Sequence, residues 1–193
     1  MSTTMSQAVV VPAEAAEVVG LPEGGAFPLF TDASDTAHAL CANRLTLGPG
    51  RDGAMPHRHM LSTELFYVLD GELEFLLGEE VVTVRTGGLV VVPPRLPHAF
   101  GAAPGIAADL LAVLTPGVER FDYFRHLGRV EHGLEPARHP AAGAGALRRA
   151  RRGRPPLAVS GEPGRSTAGP ALAVTTLPCV NGDRTSPFGL IRS

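Results

Sequence analysis

Pro56-His57-Arg58-His59-Met60-Leu61-Ser62-Thr63-Glu64 constrains this chain more than any other stretch. Two histidines stand two residues apart, a glutamate follows His59 after four intervening residues, and Gly71 follows Glu64 after six. On a β-strand, residues i and i+2 point to one face, with Cα atoms roughly 6.5 Å apart. The spacing therefore predicts a strand that aims both imidazoles at one point. Glu64 opens an apolar run that reads as the next strand, so a turn can bring its carboxylate to the same point. Nitrogen and oxygen donors converging on a rigid face form an open metal site. A fourth candidate, His98, follows the apolar strand and proline-rich corner of Gly87-Gly88-Leu89-Val90-Val91-Val92-Pro93-Pro94-Arg95-Leu96-Pro97.

Together these two stretches resemble the cupin family. The first matches the family's leading motif, His-x-His, four residues, Glu, six residues, Gly, at every named position from His57 to Gly71. The glycine that usually opens the motif is replaced by Arg51, with Gly50 and Gly53 nearby. The second stretch matches the trailing motif at Gly87, Pro93 and His98, and departs from it at Arg95 and Ala102, where the family has Gly and often Asn. The resemblance implies an all-β fold, the cupin double-stranded β-helix or jelly-roll barrel. It also implies one divalent transition metal (Fe, Mn, Ni, Co, Cu or Zn) on His57, His59, Glu64 and His98.

The rest of the chain agrees with a β fold. Strand-length runs end in Gly, Pro, Asp or Asn at intervals of roughly 8–12 residues, the pattern of a sandwich or barrel. Expected strands are 38–47, the run opened by Glu64, Glu72 to Leu77, Val81 to Arg85, Leu89 to Val92, and Ile106 to Leu114. Asp70-Gly71 and Gly78-Glu79-Glu80 read as turns, the first as a hairpin. Ala8 to Val19 reads as an extended segment, and Phe27 to Phe30 as cover for a barrel end. A helix is expected over 115–128: Thr115 can cap it, Pro116 suits its first position and Gly128 its end. The pattern around Thr115-Pro116-Gly117, Phe121, Phe124 and Leu127-Gly128 is similar to the tail of small single-domain quercetin dioxygenase-like cupins.

Charge divides the chain. Residues 1–136 hold 17 acids and 8 arginines, net −9, whereas residues 137–193 hold 2 acids and 9 arginines, net +7. Gly and Pro supply 15 of those last 57 residues. We therefore expect three parts: an N-terminal extension (1–35), a barrel with its closing helix (36–135), and an Arg/Gly/Pro-rich disordered tail (136–193). An out-of-frame extension would explain the abrupt change, and truncation after Glu135 is expected to leave fold and activity intact. The cluster Arg148-Arg149-Ala150-Arg151-Arg152-Gly153-Arg154 lacks interleaved aromatics, which disfavours a nucleic-acid role. Cys41 and Cys179 are too few for a disulfide framework. With no signal sequence and no membrane-length apolar run, the expected location is cytoplasmic. His38, His126 and His132 lie at no ligand spacing and are expected to be solvated.

Strand alternation directs Phe66, Phe75 and Phe100 into the barrel beside the histidines, as candidate walls of a substrate pocket. The resemblance implies a metal-dependent dioxygenase of the quercetin 2,3-dioxygenase type, acting on a small enol or phenolic metabolite with dioxygen. Glu64 would be both metal ligand and catalytic base. The alternatives are a non-redox metal-dependent isomerase or cyclase of small-metabolite or polyketide pathways, and a small-molecule-binding cupin without turnover. By the same analogy the chain is expected to form a homodimer.

Overall fold

The computed structural model describes residues 7–136 and residue 150. Among the described residues, nine strands run in antiparallel ladders: β1 (Glu17–Gly20), β2 (Ala26–Thr31), β3 (Cys41–Leu47), β4 (Asp52–His57), β5 (Thr63–Leu77), β6 (Glu80–Arg85), β7 (Leu89–Val92), β8 (His98–Ala102) and β9 (Ala108–Thr115). The α-helix α1 (Phe121–Glu131) follows them. The strands curl into a half-barrel, ordered β1-β2-β3-β9-β5-β8-β4, with β6 and β7 also paired to β5. Residues 17–31, inside the expected N-terminal extension (1–35), supply β1 and β2 to this sheet. The expected tail and its basic cluster lie outside the described residues, apart from residues 136 and 150, and so does Cys179.

β5 joins the two halves of the barrel, and its sequence shows how. Its first half pairs with β7 and β9; from Glu72 onward it pairs with β6 and β8. Glu64, Phe66 and Val68 are buried in the first half, Leu73 and Phe75 in the second. The inward positions change from even to odd numbers, which an uninterrupted two-residue repeat forbids. The ladder with β9 shifts register between Val68 and Asp70, and this bulge restores an apolar inner face beyond it. Gly71 is therefore no hairpin turn, contrary to the sequence expectation. It adopts φ 75° inside a continuous strand, and a Cβ there would lie 1.9 Å from the Ala107 carbonyl oxygen. The true hairpin is at Gly78-Glu79, where Leu77 pairs with Glu80.

The core is the interior of this curl. Alternate residues of β3 and β9 are buried, and Phe66, Phe75 and Phe100 fill the middle. Cys41 is buried. Phe27 on β2 stacks on Phe124 of α1, with ring centroids 4.5 Å apart, so the helix closes against the barrel.

The helix is displaced from its expected bounds at both ends. Thr115 does not cap it, because it is still paired with Thr63 and its hydroxyl donates to the Ala39 carbonyl (3.0 Å). The cap comes from distant chain: Asp32 accepts the backbone N–H groups of Arg120 (2.9 Å) and Phe121 (3.1 Å). Gly128 lies within the helix, where a Cβ would meet Val19 at 2.5 Å. The stop is Gly133, at φ 71°; the Leu134 and Gly133 N–H groups close back on the carbonyls of Arg129 and Val130.

Candidate metal centre

His57 is the last residue of β4 and pairs with His98, the first residue of β8. Glu64 is the second residue of β5. His59 is not on a strand, as its i+2 spacing from His57 suggested, but in the loop 58–62. The peptide N–H of Arg95 anchors that loop by donating to the His59 carbonyl (2.7 Å). Arg95 stands where the motif has glycine, and it adopts the left-handed backbone that glycine favours (φ 71°).

The ligand-type atoms of His57, His59, Glu64 and His98 all lie within 4.8 Å of one another, and all four residues are buried. Glu64 Oε2 is the common point, at 2.9 Å from His98 Nε2, 3.1 Å from His59 Nε2 and 3.8 Å from His57 Nε2. The other ring nitrogens of two histidines are committed elsewhere. His57 Nδ1 donates to the Met55 carbonyl (2.8 Å) and His98 Nδ1 to the Leu96 carbonyl (3.0 Å), each bond reaching two residues back. Such bonds fix the tautomer and leave the Nε2 lone pairs facing inward. Lone pairs and a carboxylate oxygen this close repel unless a cation stands among them. Protons can serve, and so can a metal ion. Three imidazoles and one carboxylate are a donor set suited to divalent transition metals, so the residues fit such an ion.

Glu64 is fully buried, and burial alone would push its carboxyl up. With protons rather than a metal ion among the ring nitrogens, hydrogen bonds from His59 and His98, the nearby His57 ring and the charge of Arg120 outweigh that and hold it well below the usual carboxylate range. Arg120 did not stand out in the sequence. Its Nη1 donates to Glu64 Oε1 at 3.2 Å across 56 residues. No spacing rule links the two positions; the contact exists because Asp32 sets the start of α1 over the cluster. The remaining histidines stay apart from the centre. His126 Nδ1 meets Glu135 Oε2 (2.7 Å), and His132 Nε2 lies 3.2 Å from the Gly20 carbonyl, so both have protein partners rather than water alone.

The three phenylalanines expected as pocket walls pack on one another. Ring centroids are 4.9 Å apart for Phe66 and Phe100, 5.2 Å for Phe66 and Phe75, and 6.2 Å for Phe66 and His98. The backbone of β4 passes so close to Phe100 that a Cβ on Gly53 would lie 2.3 Å from the ring. No helix among the described residues is long and apolar enough to cross a membrane.

Comparison with known proteins adds the following. Residues 43–114 match the family model of the Cupin domain. An uncharacterized protein of Methanocaldococcus jannaschii is 28% identical over 60 residues, covering 31% of this chain and 48% of that protein. The chain thus spans about half the length of the curated relative it matches. An RmlC-like cupin from Shewanella frigidimarina superposes with a TM-score of 0.48 at 20% identity, covering 64% of this chain and 99% of the other. The polyketide cyclase RemF from Streptomyces resistomycificus gives 0.47 at 21% identity, covering 57% and 80%.

Proposed function

Since the chain belongs to the cupin superfamily, we propose that it is a metal-dependent enzyme that turns over a small molecule at His57, His59, Glu64 and His98. The observation that carries this reading is the meeting of three imidazoles and one carboxylate at Glu64 Oε2 in a buried setting. Four protein ligands leave one or two positions of a five- or six-coordinate ion for substrate. Bound there, a divalent ion supplies Lewis acidity and, if redox-active, electron transfer. The protein's part is to hold the donors in place, keep bulk water from them and present Phe66, Phe75 and Phe100 as an apolar wall.

For the reaction we propose a dioxygenase of the quercetin 2,3-dioxygenase type, with an enol or phenol as substrate and Glu64 taking its proton. Oxygen consumption by metal-loaded protein with a flavonol or another enol-bearing compound tests it. Uptake that is lost in Glu64→Gln supports the reading. Product formed without oxygen contradicts it.

A specific contact favours a second reading, a non-redox isomerase or cyclase that uses the metal as a Lewis acid. Glu64 Oε1 is engaged by Arg120, which leaves the metal as the group that would polarise the substrate. Turnover under strictly anaerobic conditions would identify this reaction class.

A further inference from the structure

We propose that Arg120 determines the substrate specificity of the metal centre by binding a carboxylate on the small molecule held there. This rests on the metal-centre reading above. Four features of the structure lead to it.

Position is the first. Among the side chains within ion-pair distance of Glu64, Arg120 is 17% exposed, against 9% for His57 and His59 and 1% for His98. Its side chain is thus the most solvent-accessible of the four that meet the Glu64 carboxylate.

Orientation is the second. The Arg120 backbone is fixed by Asp32, and its guanidinium carbon sits 4.9 Å from the centroid of the Phe124 ring, which is itself stacked on Phe27. A guanidinium laid on an aromatic face is pre-ordered, so it loses little freedom on binding a ligand.

Donor capacity is the third. A guanidinium carries five N–H donors in a planar fork matched to carboxylates. Among the described residues, the only acceptor of the Arg120 guanidinium is Glu64 Oε1. The fork has donors to spare beside the buried donor cluster.

The fourth is charge. A divalent ion, one carboxylate and one guanidinium leave the centre with surplus positive charge. In a partly buried site such a surplus favours an anionic guest over a neutral one.

The test uses full-length protein loaded with Co(II), whose visible absorption reports ligands entering the metal's coordination sphere. Wild type, Arg120→Lys and Arg120→Gln are first analysed for cobalt and by far-UV circular dichroism, then titrated with acetate and with its neutral analogue acetamide. All three proteins should hold equal cobalt. Acetate affinity should fall by about tenfold or more in Arg120→Gln, the loss expected for one charge-assisted hydrogen bond, and by less in Arg120→Lys. Acetamide affinity should be unchanged. Equal acetate affinity at equal cobalt content would overturn the proposal. Loss of cobalt from Arg120→Gln would also overturn it, because Arg120 would then serve only to hold Glu64. If that variant does not fold, the comparison with Arg120→Lys decides, since the lysine keeps the charge and removes the planar fork. Wild-type protein that takes up no cobalt defeats the metal-centre reading itself, and does so before any acetate is added.

Discussion

Glu64 is the residue through which the site coheres, since Oε2 meets the histidines and Oε1 meets Arg120. Glu64→Gln keeps the shape and removes the charge. It leaves imidazole nitrogens and a guanidinium without their anion, and breaking a buried pair of this kind costs about 3–5 kcal/mol. A melting curve of metal-free protein would show it. The pH dependence has a definite sign. Because the folded carboxyl is held low, its contribution to stability is present above the ordinary carboxylate range. That contribution disappears as pH falls through the lowered value. Acid titration of metal-free wild type beside Glu64→Gln should show the two curves converging at low pH. At this scale, much of the centre was legible in the chain. The spacing of His57, His59 and Glu64 and the frame around His98 pointed to their meeting; strand direction delivers His57, Glu64 and His98, whereas His59 arrives from a loop. Arg120 was illegible, because its approach to Glu64 depends on where a helix docks, and no local pattern encodes that.

Among the elements, β5 and α1 depart furthest from their sequence signals, each for a physical reason. Asp70-Gly71 looks like a hairpin, but the ladder to β9 continues past it. There glycine is needed for its φ and for the close approach of the Ala107 carbonyl. Gly71→Ala combines a strained φ with a clash against backbone, and should cost about 2–4 kcal/mol. Chemical denaturation would measure this as a lower midpoint with an unchanged slope. The helix was misplaced because Thr115 and Pro116 carry start signals that the β9 ladder overrides, while the true cap, Asp32, lies 88 residues away from Arg120. Asp32→Ala should lose about 1–2 kcal/mol, as for removal of a helix cap. It should also loosen Arg120, so acetate affinity of the cobalt form should weaken even though Asp32 does not touch the cluster.

Taken together, the described residues form a curled antiparallel half-barrel whose two halves share β5, closed on one side by the short helix α1. The alternation of β3 and β9 was readable because each is half-buried, whereas β8, buried throughout, carries no such pattern. The bulge that reverses inward parity in β5 was not readable, because it depends on the partner strand. Donors from β4, the following loop, β5 and β8 meet in one place, so an ion bound there would tie separate segments together. Adding metal at about 100 times its dissociation constant should stabilise the fold by about 2.7 kcal/mol, seen as a rise in melting temperature that a chelator reverses. The decisive measurement is elemental analysis of purified full-length protein beside Glu64→Gln, after both are offered the same divalent metals. A metal centre at these residues requires about one ion per chain in wild type, as one four-donor site holds one ion, and little in the variant. A folded wild-type protein that holds no metal, or a Glu64→Gln variant that holds as much as wild type, would contradict it.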